Sequence, residues 1–375
     1  MFMTLGQNIK KLRRNADMTQ EELAEMLSIS SQAVSRWEVG TAMPDISLLP
    51  SLCNIFNVSS DVLLGIDSVG KQAEIDKVRT RAHSFSSRGY FQEARAILED
   101  GLQKFPNDYF IIRDLMFVAE NQSSDESYAE EQRNAFLQES INLAERILKS
   151  CTEDCLRHSA LQVLCFAYKD MGNVEKAKEL AYKMPDMALS RQSLVARVSL
   201  GDQRYTAKQT ELDRYIMFLE LGIRQMDVTM DNGKQKYSPD EMSLLREKAI
   251  ALLHLMFEDG NFGFYHTHLA DTHSDQAKYY AKAKCAEKTL YHLEKAAEHA
   301  ISFLEWCDGS REYTCLLFKD KKVKGFTTSD KRNTALKLLE ELKASEFKFV
   351  NGNDQFVAIK ENLEKFAKVW QPQKT

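Results

Sequence analysis

Apolar residues along this chain recur at spacings of three and four, which is the periodicity of amphipathic helices. No stretch shows the sustained alternation of apolar and polar residues that marks a strand. Four such apolar stripes fall within the first 65 residues: Leu5, Ile9 and Leu12; Leu23, Ala24 and Leu27; Val34 and Trp37; Leu52, Ile55 and Phe56. Only six prolines interrupt the 375 residues. The pattern predicts an all-α protein.

Two short predicted helices near the N-terminus are joined by a tight turn at Ser28–Ser30. Thr19 is placed to cap the first of them, and Glu22, three residues later, completes a capping box. The side chains predicted to point outward from the second helix are Ser31, Gln32, Ser35 and Arg36. Gln can form a bidentate hydrogen-bond pair with adenine, and Arg can form one with guanine. The second helix therefore has the side chains of a major-groove reader.

This segment resembles the DNA-binding domain of the phage repressor and Cro type, the xenobiotic-response-element family of bacterial regulators. The residues that carry the resemblance are Ile9–Arg13, Thr19–Ala24, Ser35–Glu38, Gly40, Pro44–Asp45, Val58–Ser59 and Leu63–Gly65. Their spacing, their helix caps and their apolar positions agree with the family at once. The resemblance covers about a sixth of the chain. It implies a five-helix domain that reads operator DNA.

The resemblance also assigns roles to individual residues. Gln20 is expected at a phosphate, and Gln32 and Arg36 are expected at base edges. Arg13 and Glu38 are expected to form a structural ion pair between the first helix and the recognition helix. Val39 departs from the family pattern, because relatives often have Asn at this place.

The net charge of the chain does not favour DNA binding, whereas the local distribution of basic residues does. The formal net charge of the whole chain is −5, and the first 65 residues hold five basic against seven acidic residues. Four of the five basic residues lie together on the first predicted helix, which focuses positive charge where a phosphate strand would pass. The residues expected to contact phosphates are Lys10, Lys11, Arg14, Thr19 and Gln20. So few contacts favour a homodimer on a two-part operator of double-stranded DNA.

Composition is that of an ordinary globular protein, with 43% hydrophobic residues in a length that suggests two or three domains. No apolar run reaches the roughly 18 residues of a membrane span, and the N-terminus lacks a signal-peptide pattern. The seven cysteines are an odd number without framework spacing, as expected of free thiols. We therefore predict a cytoplasmic protein without membrane contact.

Beyond residue 71 the chain shows pairs of predicted helices that repeat with drift. In Ala82–Pro106 and Leu161–Pro185, a glycine opens a tight turn and an alanine a few residues later allows the helices to approach closely. Tyr279–Trp306 and residues 329–370 are a third and a closing candidate pair. These segments resemble tetratricopeptide repeats, and they predict a C-terminal α-solenoid.

The sequence thus predicts a helix-turn-helix domain over residues 1–66, a linker over 67–72 and a repeat domain over 73–375. This combined architecture resembles the peptide-sensing regulators of low-GC Gram-positive bacteria. The resemblance implies a peptide or small-molecule ligand in the groove of the repeats. No peptide-contacting residue can be matched. The alternative is that the repeats only dimerise the chain or hold another protein.

The sequence gives little support for a metal site or a catalytic site. His266, His268 and His273 form the densest cluster, with Asp271 among them, but their spacing does not fit a known zinc motif. Cys151, Cys155 and His158 lie along one predicted stripe and are better explained as a helix contact. No Gly-rich phosphate loop, nucleophile elbow or His-Glu-x-x-His motif occurs. We expect no metal, no cofactor and no enzymatic activity.

These observations predict a sequence-specific transcriptional regulator in which a ligand or partner of the repeat domain changes operator affinity. One alternative is an interaction adaptor whose N-terminal module does not read DNA, which the negative local charge favours. Another is a repressor of a mobile element that responds to no ligand.

Overall fold

The structure is a computed structural model of the chain that describes residues 4–65, 68–230 and 233–372. Within these ranges the chain forms eighteen α-helices and a few one- to two-turn 3-10 helices. The same ranges contain no strand, and their β-pairing is limited to isolated bridges. The prediction of an all-α protein is therefore confirmed. The chain divides into two compact units, Met1–Thr80 with Gln103–Pro106, and Arg81–Leu102 with Asn107–Thr375.

Five helices form the N-terminal part of the first unit: α1 (Leu5–Asn15), α2 (Gln20–Met26), α3 (Ser31–Val39), α4 (Leu49–Phe56) and α5 (Ser60–Leu64). The capping box expected at the start of α2 is present. The Thr19 hydroxyl accepts a hydrogen bond from the Glu22 amide at 3.2 Å, and the Glu22 carboxylate accepts one from the Thr19 amide at 2.6 Å. Ser30 caps α3 in the same sense. Local side-chain hydrogen bonds thus fix where α2 and α3 begin.

The core of these five helices consists of residues from the predicted apolar stripes together with Leu63 of α5. Its fully or nearly fully buried members are Ile9, Leu23, Ala24, Leu27, Val34, Trp37, Leu52 and Leu63. The backbones of α1 and α3 approach so closely at Gly6 that a Cβ there would lie 1.8 Å from the Trp37 carbonyl oxygen. Glycine is therefore required at this contact.

The remaining helices are α6 (Ser68–Ser86), α7 (Phe91–Lys104), α8 (Tyr109–Ser123), α9 (Glu130–Ser150), α10 (Asp154–Asp170), α11 (Val174–Ala181), α12 (Arg191–Val198), α13 (Gly201–Arg224), α14 (Pro239–Met256), α15 (Tyr265–Lys282), α16 (Ala286–Asp308), α17 (Thr334–Glu341) and α18 (Asp354–Phe366). In the second unit, helices that follow one another in sequence pack together in most cases from α8 to α18. Contact between sequence neighbours is typical of helical-repeat proteins. The most extensive of these contacts joins α15 and α16.

The predicted repeat Leu161–Pro185 lies where α10 and α11 pack together, whereas the helices of Ala82–Pro106, α6 and α7, are joined by a tight turn without extensive packing on each other. Gly89, between α6 and α7, and Gly172, between α10 and α11, both have the left-handed backbone conformation that a tight turn needs. The third candidate, Tyr279–Trp306, covers only the second half of its hairpin, because α15 begins at Tyr265. The packed face of the first half mixes polar residues such as His266 and His273 with the apolar Leu269 and Ala270, which weakens the apolar periodicity there.

The expected linker, residues 67–72, falls partly outside the described residues, which omit 66 and 67. From Ser68 onward the chain is helical, as the first part of α6. No described helix is long and apolar enough to cross a membrane.

Candidate DNA-binding surface

Helix α3 has one buried and one exposed face. Val34 and Trp37 are buried in the core, whereas Gln32 and Arg36 are exposed. Ser31 and Ser35, which were also expected at base edges, are half-buried. Because helical residues four apart lie on the same side, Gln32 and Arg36 form one polar strip a turn in length.

The polar strip remains open to a ligand. The Arg36 guanidinium donates one long hydrogen bond, of 3.4 Å, from Nε to the Gln32 carbonyl oxygen. This bond uses one of the five N–H donors of the guanidinium, and the other four are not engaged by it. A planar fork of donors beside an amide is the pairing that bidentate recognition of guanine and adenine requires.

A buried carboxylate holds the three helices of this surface together. Glu38 of α3 accepts hydrogen bonds from Nε and Nη2 of Arg13, at 2.6 and 3.1 Å. Gln20, the first residue of α2, donates its amide to the same carboxylate at 2.9 Å. Arg13 also donates to the carbonyl oxygen of Met18. The expected ion pair therefore exists in this structure as a bidentate contact, and both partners are more than nine-tenths buried.

The ionisation of Glu38 follows from these partners. Burial alone would raise the pKa of this carboxyl group, but the hydrogen bonds from Arg13 and Gln20 and the charge of Arg13 outweigh it. The pKa of Glu38 is therefore lowered, and that of Arg13 is raised, mainly by the hydrogen bond to Glu38. Both groups are charged at neutral pH.

The residues expected at phosphates differ in their solvent exposure and in the hydrogen bonds that they already form. Lys11 and Arg14 are exposed on α1, and Lys10 is half-buried. The hydroxyl of Thr19 already caps α2. Gln20 is half-buried, and its bond to Glu38 uses one of the two hydrogens on Nε2. The bond between Gln20 and Glu38 was not predicted, because residues eighteen positions apart give no periodic signal.

The histidines considered as ligands are divided between two surroundings. His268 lies 2.6 Å from the carboxylate of Glu220, whereas His266 and His273 are buried against α16. Of the second candidate set, Cys151 is buried at the end of α9 and Cys155 is exposed on α10. In the part of the chain that the structure describes, no group of three or more His, Cys, Asp or Glu side chains is arranged to hold a metal ion.

Two capped helices at a tight turn, with an outward polar strip on the second, define the helix-turn-helix class of DNA-binding proteins. The family profile described as Helix-turn-helix matches residues 9–63. The HTH-type transcriptional regulator ImmR of Bacillus subtilis (strain 168) is 43% identical over 74 residues, which are 20% of this chain and 58% of ImmR. YqaE of the same organism, also an HTH-type transcriptional regulator, is 32% identical over 100 residues, which are 26% of this chain and 86% of YqaE. The chain belongs to the family of helix-turn-helix transcriptional regulators.

The chain spans little more than half the length of ImmR, and the residues aligned with ImmR and YqaE make up 20% and 26% of this chain. Among solved structures, Bacillus thuringiensis PlcR in complex with the peptide PapR7 and DNA matches 80% of this chain and 95% of its own. The sequence identity is 15% and the TM-score is 0.30. A similarity at this level carries no argument about a ligand or partner of the present chain.

Proposed function

We propose that this helix-turn-helix regulator binds a specific operator in double-stranded DNA as a homodimer. In this proposal, α3 enters the major groove with Gln32 and Arg36 at base edges, and Ser31 and Ser35 contribute at its start. The observation that carries the proposal is the division of α3 into a core face and an exposed polar strip. A helix that served only the fold would have no use for an amide and a guanidinium held outward one turn apart.

Phosphate contacts are assigned to the same side of the domain. Lys10, Lys11 and Arg14 on α1 supply the charge, and Thr19 and Gln20 at the start of α2 supply neutral donors. Gln20 is assigned a phosphate contact because its hydrogen bond to Glu38 fixes the side chain. The second N–H of its amide is thereby held in position before DNA binds. The small number of charged contacts explains why one domain alone would bind weakly.

The dimer is supported by an exposed apolar surface in the second unit. Of the 29 large apolar side chains exposed in the described chain, 15 fall within residues 166–219, on α10 to α13 and the turns between them. Val198 and Leu200 are 76% and 77% exposed. Large exposed apolar area is typical of interaction sites, and a stable interface needs about 800 Å² from each partner. We assign these exposed side chains, which we call the 166–219 surface, to contacts with a second copy of the chain, because a two-part operator requires one.

The repeat domain, residues 73–375, is assigned a regulatory role. A peptide, a small ligand or a partner protein bound there would change the spacing of the two DNA-binding domains and so the operator affinity. The chain around residues 66–72 would be the joint. A second candidate function, an interaction adaptor that does not read DNA, is favoured by the local net charge of −2 over residues 1–65.

The test is operator binding by the full-length protein, with sites first located by genomic footprinting. Arg36→Ala and Gln32→Ala are expected to lose about 1–3 kcal/mol of binding free energy at the cognate site and to relax base preference there. Arg81→Ala, an exposed arginine on α6 outside the 166–219 surface, is the matched control and should bind as the parent does. Unchanged operator affinity in Arg36→Ala would refute the role of that residue. Binding without steep salt dependence would favour the adaptor.

A further inference from the structure

Four histidines line the contact between α15 and α16, and we call them the histidine ladder. His266 and His273 lie seven residues apart on α15, and His292 and His299 lie seven residues apart on α16. Nδ1 of His266 lies 2.9 Å from Nδ1 of His299, and the same distance joins His273 to His292. The rings of His273 and His299 are stacked with centroids 5.8 Å apart. Two imidazole pairs are thus stacked one above the other inside the second unit.

A cavity of about 490 Å³ opens beside the ladder, between α14, α15 and α16. Three ladder residues line it, all except His266, and His254 of α14 faces it as well. Lys288 and Lys295 of α16 stand at the same cavity. Its volume lies in the range of small-molecule sites. The cavity therefore combines imidazole nitrogens with two ammonium groups.

The ladder is held in its neutral form. Burial is the main reason that the pKa values of His266 and His273 fall to about 3 and that of His299 to about 4. The positive charge of Lys295 acts in the same direction on His273 and His299. In each pair one Nδ1 donates a hydrogen bond and the other accepts it, which requires neutral rings or one shared proton. The charges of Glu247 and Glu298 act in the opposite direction on the pKa values of His292 and His299, but burial outweighs them.

Two carboxylates also face the cavity, and each already has a partner. Glu298 is paired with Lys295 at 2.7 Å. Glu247 accepts a hydrogen bond from Gln276 at 2.7 Å, and its second contact, with Nε2 of His292, is 3.7 Å long. They balance the two lysines in number but do not approach the stacked rings closely. Among the four ladder residues, only His292 has a carboxylate within ion-pair distance in the part of the chain that the structure describes.

Aromatic rings form the remaining wall. Tyr280 lies parallel to His292 with centroids 5.4 Å apart, and Tyr291 meets the same ring edge-on at 5.0 Å. The ammonium group of Lys288 lies 4.8 Å from the centre of the Tyr280 ring. Rings of this kind suit the carbon body of a ligand whose charged group lies at the lysines.

We propose that this cavity binds a small organic anion, whose carboxylate or phosphate group is held by Lys288, Lys295 and imidazole N–H groups, with proton uptake by the histidine ladder. The anion adds negative charge beside the buried rings, and each ring that is then protonated adds a charge-assisted hydrogen bond. Affinity is therefore higher at pH 6 than at pH 8. This inference names a ligand class for the regulatory role proposed above, and in that sense it rests on the proposed function.

The experiment is isothermal titration calorimetry on the full-length protein without DNA, with sulfate and tartrate as probes, because neither changes its own charge between pH 6 and pH 8, and with chloride of equal ionic strength as the blank. Each titration is repeated in two buffers of different ionisation enthalpy, because the difference in heat counts the protons taken up. Saturable binding with net proton uptake is expected. Lys295→Gln should weaken binding about tenfold. His299→Gln should reduce proton uptake.

Lys178→Gln is the matched control, because Lys178 pairs with Glu175 three residues away, just as Lys295 pairs with Glu298. Thermal melts establish that each variant is folded. The proposal is overturned if neither probe binds at about 10 mM, if Lys295→Gln binds as the control does, or if binding takes up no protons. Tight uptake of Zn²⁺ without a response to either anion would also overturn it, by making the ladder a metal site. Because no DNA is present, failure here leaves the operator test with Arg36 unaffected, and the reverse also holds.

Discussion

Gln20 and Glu38 are joined by a hydrogen bond of 2.9 Å, so the first residue of α2 is tied to the carboxylate that Arg13 of α1 also binds. The three helices that carry the proposed DNA contacts therefore meet at one buried group. Removal of the Glu38 carboxylate should therefore affect both the stability of the N-terminal domain and the position of the side chains proposed to donate to phosphates.

Glu38→Gln is expected to destabilise the N-terminal domain by about 3 kcal/mol, because it leaves the Arg13 guanidinium buried without a counter-charge. Hydrogen exchange of residues 5–64 in the full-length protein measures this directly, since local opening becomes more frequent. The lowered pKa of Glu38 sets the pH dependence. Its contribution to stability is present above the pKa of an unfolded glutamate and is lost as pH falls through the lower folded value. Glu25→Gln, at an exposed position of α2, is the control; equal exchange in both variants would contradict the prediction.

Gly6→Ala is expected to force α1 and α3 apart, since the new Cβ would lie 1.8 Å from a backbone oxygen of Trp37. Strain of this kind costs about 1–3 kcal/mol or more, and the shift of α3 should weaken operator binding as well. Gly222→Ala tests the same exchange inside α13, where nothing lies within 4 Å of the added carbon. That variant should gain up to about 1 kcal/mol of stability from helix propensity. Thermal unfolding compares the two, and a Gly6→Ala protein as stable as the parent would show that the contact can relax.

Lys11→Ala is expected to lower the affinity for every DNA sequence by a similar factor. It should also reduce the slope of log affinity against log salt concentration by about 1. The reason is that a phosphate contact carries no base information and releases counterions when it forms. Fluorescence anisotropy with operator and random duplexes at several salt concentrations gives both quantities. Lys149→Ala, at the exposed end of α9, serves as control. A selective loss at the operator would mean that Lys11 reads bases.

Val198→Asp combined with Leu200→Asp is expected to convert the dimer to a monomer, because each charge would be buried against the second copy of the 166–219 surface. Light scattering after size-exclusion chromatography measures the molar mass, and operator affinity should fall with it. Leu255→Asp, at a similarly exposed apolar position on α14, leaves the mass unchanged. A parent protein that is monomeric at micromolar concentration would remove the basis for this assignment.

The histidine ladder predicts that the second unit loses stability as pH falls from 7 to 4. The folded-state pKa values of His266, His273 and His299 lie near 3 to 4, below the usual value for the unfolded chain. The unfolded state therefore binds more protons in this window, and stability decreases as pH falls. Thermal unfolding at several pH values shows the slope, which His273→Gln should flatten. A slope that His273→Gln does not change would place the acid sensitivity elsewhere.

Local features of the N-terminal domain could be predicted from the sequence because they depend on near neighbours. Helix caps such as Thr19 with Glu22, and the apolar spacing of Leu23 and Val34, involve residues at most four positions apart within one helix. The exposed placement of Gln32 and Arg36 followed from the same periodicity. Their contact with DNA remains a proposal.

The histidine ladder shows where such reasoning stops. The spacing of seven between His266 and His273, repeated between His292 and His299, was visible in the sequence. Taken alone, the two histidines of one helix indicate only that two polar residues lie on the same side of that helix. Only the antiparallel packing of α15 on α16 brings His266 to His299 and His273 to His292.

The sequence by itself determined that the chain is helical, where α2 begins, and which face of α3 points outward, because these depend on spacing within a few residues. The tertiary structure alone decided that Gln20 shares a carboxylate with Arg13 and that four histidines meet beside a cavity. The physical reason is that such contacts join residues far apart in the chain, whose meeting depends on the packing of whole helices.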